Sequence, residues 1–119
     1  MNAKEIALTA AHYALDKKGE NLLLLDLNER SSLTDYLLLI SGRSDRQVQA
    51  IAEQIRTEFK HQHQLLPLSV EGMEQGRWVL LDYGAVTIHV FQQPVREFYD
   101  LEGLWSEAPE VPLPEVACE

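Results

Sequence analysis

The sequence predicts a small α/β, or α+β, domain built on a mixed β-sheet of about five strands flanked by helices. Three observations carry that reading. Two stretches repeat apolar residues at helical spacing, near the N-terminus and after Ser44. Two strand-length runs, residues 21–27 (NLLLLDL) and 36–41 (YLLLIS), are nearly continuous in apolar side chains, as in strands covered on both faces. Two later runs, residues 77–82 and 85–91, alternate apolar and polar residues across a glycine-containing turn. A chain of 119 residues supplies one core.

The elements follow in order. Asn2 caps the first helix, with Glu5 as its capping-box partner and Gly19 to end it. Ile6, Ala10, Tyr13, Ala14 and Lys17 share one face of that helix, a stripe of mostly small residues. Residues 21–27 read as a strand because Gly19 and Asn28 flank them, although leucine also favours helix. Residues 31–35 are turn-like, and Gly42 breaks the strand at 36–41. Ser44 caps the second helix, with Gln47 in the capping-box position. Val48, Ile51, Ala52, Ile55 and Phe59 form its apolar face, and the helix is expected to fray over residues 61–64.

Pro67 limits residues 65–70 to a short edge strand or an extended approach to one. Gly72 and Gly76 bracket the next turn. With Tyr83-Gly84 as a two-residue hairpin turn, Trp78 faces His89 and Leu80 faces Thr87. Val79, Leu81, Val86 and Ile88 then form a dry face, and Trp78, Leu80, Asp82, Thr87 and His89 a mixed one. Pro94 opens a short helical segment in which Phe98 reads as a core residue. Residues 106–119 hold three of the five prolines and four glutamates, without Lys or Arg. The expected organisation is a domain over residues 1–108 and an acidic, proline-rich flexible tail over 109–119.

Composition limits the function. Ten Lys and Arg against nineteen Asp and Glu give a net charge of −9, which disfavours neutralising a phosphate backbone and suits either a basic protein partner or simple solubility. No apolar run approaches the roughly 20 residues of a membrane span. The N-terminus lacks the apolar stretch of a secretory signal, and the sole cysteine, Cys118, has no partner for an intramolecular disulfide. A reducing cytoplasm is the expected compartment.

No complete catalytic set is visible. His61 and His63 read as a solvated helix end, since no cysteine or carboxylate stands at zinc-ligand spacing. His12 reads as a surface residue, whereas His89 lies on the mixed strand face. Ser41 and Ser44 lack a nucleophile-elbow motif. The junction Ser41-Gly42-Arg43-Ser44-Asp45 is a turn and helix cap, with anion binding at its amides as the alternative. A nucleotidyltransferase would follow such a junction with two alternating carboxylates on a strand. Asp82 instead has Leu80 and Gly84 two positions away, and Asp26 has Leu24 and Asn28. Neither an enzymatic activity nor a cofactor or metal is expected.

Several motifs occur together: Asp35-Tyr36; Ser41-Gly42-Arg43-Ser44-Asp45-Arg46-Gln47-Val48; Glu71-Gly72; Trp78-Val79-Leu80-Leu81-Asp82-Tyr83-Gly84; His89-Val90-Phe91; and Arg96-Glu97-Phe98-Tyr99-Asp100-Leu101-Glu102 with Leu104-Trp105. In this order the chain, to about Pro109, resembles the Iojap or RsfS family of bacterial ribosomal silencing factors. The resemblance implies a fold similar to a nucleotidyltransferase core without its catalytic carboxylates. It implies docking on the large ribosomal subunit through ribosomal protein fourteen, with little direct RNA contact. The docked protein would obstruct small-subunit joining and lower translation when nutrients are scarce.

Carried onto this sequence, the partner-binding residues are Trp78, Leu80, Asp82 and Tyr83, with His89, Arg96 and Tyr99 beside them. Trp78 would anchor the interface and Asp82 would meet a basic group. Two alternatives stay open: a nucleotide-binding or nucleotidyltransferase-type enzyme at residues 41–45, and a homodimeric scaffold using the same mixed face.

Overall fold

A computed structural model describes residues 1–113. The element order is α1 (Ala3–Asp16), β1 (Glu20–Asp26), β2 (Tyr36–Gly42), α2 (Asp45–His63), β3 (Ser69–Glu71), β4 (Trp78–Asp82), β5 (Val86–Gln92), α3 (Gln93–Tyr99) and α4 (Leu101–Leu104). The strands form one mixed sheet in the order β1-β2-β5-β4-β3. β2 and β5 run parallel, and the other three pairings are antiparallel. This is the α+β architecture that the apolar periodicities predict.

Local sequence explains the two long helices. Asn2 Oδ1 accepts the Glu5 amide at 2.8 Å, and Glu5 Oε1 accepts the Asn2 amide at 2.9 Å, which completes the capping box. The helix ends earlier than Gly19, because Lys18 takes the left-handed conformation at φ 63°. Gly19 still helps close the helix by donating its amide to the Ala14 carbonyl at 2.9 Å, and it also packs closely on Ile40. Ser44 Oγ accepts the Gln47 amide to start α2, but the Gln47 side chain reaches past the cap to the Arg43 amide at 2.7 Å. Residues 61–63 remain helical, and Gln64 closes α2 in the left-handed conformation at φ 52°.

One sheet face packs on α1 and α2. Ala7, Ala10 and Ala14 bring α1 close, while Val48, Ile51, Ile55 and Phe59 of α2 fill the space over Leu38, Ile40, Leu81, Ile88 and Val90. The expected dry set Val79, Leu81, Val86 and Ile88 lies in this core. The opposite face has a smaller core of Leu25, Leu27, Leu37, Leu39 and Phe91, covered by Val95, Leu101, Trp105 and Ala108. Coverage on both faces accounts for the unbroken apolar runs of β1 and β2.

The hairpin register differs from the expected one by two positions. Trp78 pairs with Phe91, Leu80 with His89, and Asp82 with Thr87. The Tyr83 amide still bonds the Val86 carbonyl at 2.9 Å, so Gly84-Ala85 is the turn. Gly84 has φ +84°, the sign a type II′ turn demands at its first central position, and the Asp82 carboxylate accepts its amide at 2.8 Å. A shift of two keeps every residue on its expected face, because side chains alternate with period two.

Past residue 108 the chain continues along the free edge of β1. Val111 donates its amide to the Leu24 carbonyl at 2.8 Å, and the Asp26 amide donates to the Pro109 carbonyl at 2.9 Å. Glu110 thereby forms an antiparallel bridge with Leu25. Val111 and Leu113 also pack on the main core. Residues 109–113 are therefore part of the fold, held by the free backbone groups of the β1 edge. The remainder of the expected tail, 114–119, lies outside the described residues.

Candidate partner-binding face

The short helices α3 and α4 cover the far side of β1, β2 and the Phe91 end of β5, and Tyr99 of α3 reaches the Trp78 ring, but neither helix lines the hollow at Trp78, Leu80 and His89. On β4 and β5 that side therefore presents the mixed residues of the hairpin. Trp78 opens β4 with its indole among three rings: Phe91 at 5.5 Å, His89 at 5.9 Å and Tyr99 at 4.8 Å between centroids. Its Nε1–H donates to His89 Nδ1 at 2.9 Å. Leu80 stands opposite His89 in the ladder.

Burial pushes the His89 imidazole down to about 4, since the charged ring would lose its water. The Trp78 hydrogen bond also requires an unprotonated Nδ1, so a neutral histidine sits beside an aromatic and an aliphatic side chain. Tyr99 extends this surface at 56% exposure and meets Phe98 edge-on at 5.0 Å. Together Trp78, Leu80 and His89, with Glu71 and Gly72, line an open hollow of about 330 Å³. Gly72 is required there: at φ +83° an added Cβ would collide with the Trp78 carbonyl oxygen.

Thus Trp78, Leu80, His89 and Tyr99 come together as one surface. Asp82 lies on the same face at the hairpin end, where its carboxylate also fastens the turn. Two expected contact residues lie inside the protein. Tyr83 continues the strand alternation onto the helical side, where it is 8% exposed and its ring stands 5.1 Å from Phe59. Its hydroxyl has no hydrogen-bond partner, and burial pushes its pKa up to about 12 against the opposing pull of Arg56.

Arg96 is 4% exposed and spends its donors on Asn21, Ser41 and Glu102. Conversely, Phe98 is 80% exposed, because α3 turns Val95 and Arg96 toward the sheet and leaves Phe98 off that side. Glu71, Gly72 and Phe98 are surface residues of this region that the strand pattern alone did not assign. The Glu71-Gly72 turn ahead of Trp78 was the available signal for two of them.

At the Ser41–Asp45 junction several polar groups are engaged by the protein itself. The Arg43 amide bonds Gln47, its side chain pairs with Glu20 at 2.7 Å, and Ser44 Oγ holds the Gln47 amide. Ser41 Oγ is buried against Gln93 and Arg96. Among the described residues, no three His, Cys, Asp or Glu side chains gather as metal ligands, and no helix is long and apolar enough to cross a membrane.

A sheet end carrying a partly exposed aromatic residue, an aliphatic neighbour and a neutral histidine is the kind of surface a binding protein uses for contact. Known proteins agree with that class. The family model described as "Ribosomal silencing factor during starvation" matches residues 1–119. Ribosomal silencing factor RsfS of Bacillus subtilis is 42% identical over 109 residues, covering 92% of each chain. The Haemophilus influenzae protein of the same name is 35% identical over 89 residues, 75% of this chain and 86% of its own.

A crystal structure from Chromobacterium violaceum superposes with a TM-score of 0.85 at 36% identity, covering 89% of this chain and 88% of that one. One from Bacillus halodurans gives 0.80 at 38% identity, covering 94% and 100%. The chain belongs to the RsfS family, the ribosomal silencing factors. These are non-enzymatic proteins that bind the large subunit through its ribosomal protein fourteen, uL14, and block subunit joining.

Proposed function

We propose that this chain silences ribosomes by laying the uncovered end of its sheet against uL14, with Trp78, Leu80, His89 and Tyr99 at the centre of contact. The single observation that carries the assignment is the open hollow at Trp78, Leu80 and His89, which neither α3 nor α4 lines and where Trp78 and Leu80 stay partly exposed. Such rigid aromatic anchors dominate protein interfaces, and removing one costs about 2 kcal/mol or more. Asp82 supplies a carboxylate at the margin for a basic group of the partner.

The net charge of −9 favours a basic ribosomal protein over RNA phosphates, so direct RNA contact is small. Blocking then needs only affinity and bulk, and the work is done where ribosomes are, in the cytoplasm. The test is co-sedimentation of the full chain with purified large subunits, beside a subunit-joining assay. Leu80→Glu and Trp78→Ala should abolish or strongly weaken both binding and blocking. Asp82→Asn, which keeps the oxygen that holds the Gly84 amide, should weaken them less. Folded Leu80→Glu protein that still co-sediments and blocks joining would place the interface elsewhere.

A further inference from the structure

Ser41 and Arg96 are the two buried polar or charged residues outside the core hydrophobics among the described residues, and they touch each other. A buried guanidinium is tolerated only when its donors are met. Arg96 Nη1 donates to the Asn21 carbonyl at 2.6 Å and to Ser41 Oγ at 2.8 Å. Its Nε and Nη2 fork onto the two carboxylate oxygens of Glu102 at 3.2 and 3.1 Å. Ser41 Oγ in turn donates a hydrogen bond to Gln93 Oε1 at 2.7 Å, which also accepts from Asn21 Nδ2 at 3.0 Å. One side chain thus ties together the start of β1, the end of β2, α3 and α4.

The two helices it joins have seven and four residues, too short to hold a position by themselves. Between them Asp100 takes the left-handed conformation at φ 47° and turns the chain back. The fork from Arg96 to Glu102 therefore closes a corner of chain, and Tyr99 sits inside it with its ring 4.8 Å from Trp78. We propose that Arg96 is a positioning residue of the docking face: its fork to Glu102 closes the α3–α4 corner and holds Tyr99 against Trp78. This deepens, and rests on, the uL14-docking reading. Lysine cannot replace it, since a single ammonium lacks the planar fork that spans both oxygens.

The experiment uses the full chain with Trp105→Phe, so that Trp78 is the only fluorophore of its kind. Arg96→Lys, Glu102→Gln and Tyr99→Ala are each compared by far-UV circular dichroism, acrylamide quenching of Trp78 and affinity for purified large subunits. Glu102→Gln leaves the guanidinium and its two neutral acceptors in place, which guards against simple misfolding. Tyr99→Ala should weaken large-subunit binding about fivefold or more and make Trp78 more quenchable. Both corner variants should do the same with unchanged helix content, and neither should add further loss on top of Tyr99→Ala. Losses that add, or corner variants that leave Trp78 quenching and affinity unchanged while Tyr99→Ala alters both, would overturn the positioning role. Retention of full affinity by Tyr99→Ala itself would instead overturn the docking face.

Discussion

His89 is the residue that most sets the chemistry of the proposed docking face. With its folded pKa at about 4, against about 6.5 for a free histidine, the native ring stays neutral where the unfolded one takes up a proton. Between those two values the unfolded state binds more protons, so stability rises with pH across the window. Acidification from about pH 6.5 to 4 should therefore remove at most about 3 kcal/mol, and stability should be flat in this respect above pH 7. Urea unfolding at several pH values checks this, with His89→Gln expected to flatten that part of the profile. A nuclear magnetic resonance titration of His89 with a midpoint near 6.5 would contradict the buried, neutral ring. Asp26 acts at lower pH in the same sense. The amide and side chain of Asn28 hold its carboxyl below the usual range, so its contribution fades as pH falls through that depressed value.

At the scale of elements, the C-terminal segment closes a sheet edge that would otherwise be open. Its contribution rests on two backbone hydrogen bonds and the packing of Val111 and Leu113. Val111→Pro deletes the amide that donates to Leu24 and should cost about 1–2 kcal/mol in denaturant unfolding. Size-exclusion chromatography should show increased self-association, since an uncovered strand edge pairs readily with another chain. An unchanged midpoint and a monomeric profile would mean that the β1 edge needs no guard. This segment was illegible in the sequence because its prolines and glutamates match a flexible tail. The bonds that fix it are backbone groups, and they carry no side-chain signature. The capping of α1 by Asn2 and Glu5 lay in plain view for the opposite reason, as both partners stand within one turn.

The whole molecule is an acidic body, and its charge acts on encounter more than on the docked contact. Raising salt from about 0.05 to 0.5 M shortens the screening distance to less than half and should slow association with uL14 by roughly tenfold. Dissociation should change much less, because the proposed central contact is aromatic and aliphatic. Stopped-flow or surface-based kinetics with purified uL14 separates the two rates. An association rate indifferent to salt would remove charge steering from the account.

Period and spacing determined the elements themselves. Leucine runs, helical stripes and caps act between near neighbours, so the sheet, the two long helices and the mixed face of the hairpin were readable from the residues. The face survived even the register error, since a shift of two leaves alternation intact. Tyr83, Arg96 and Phe98 were decided only by the tertiary structure. Whether each is buried depends on partners far away in the chain: Phe59 beneath Tyr83, Asn21 and Ser41 around Arg96, and the orientation of α3 on the sheet for Phe98. The same long-range packing decided where α3 and α4 stop, and so which part of the sheet remains for a partner.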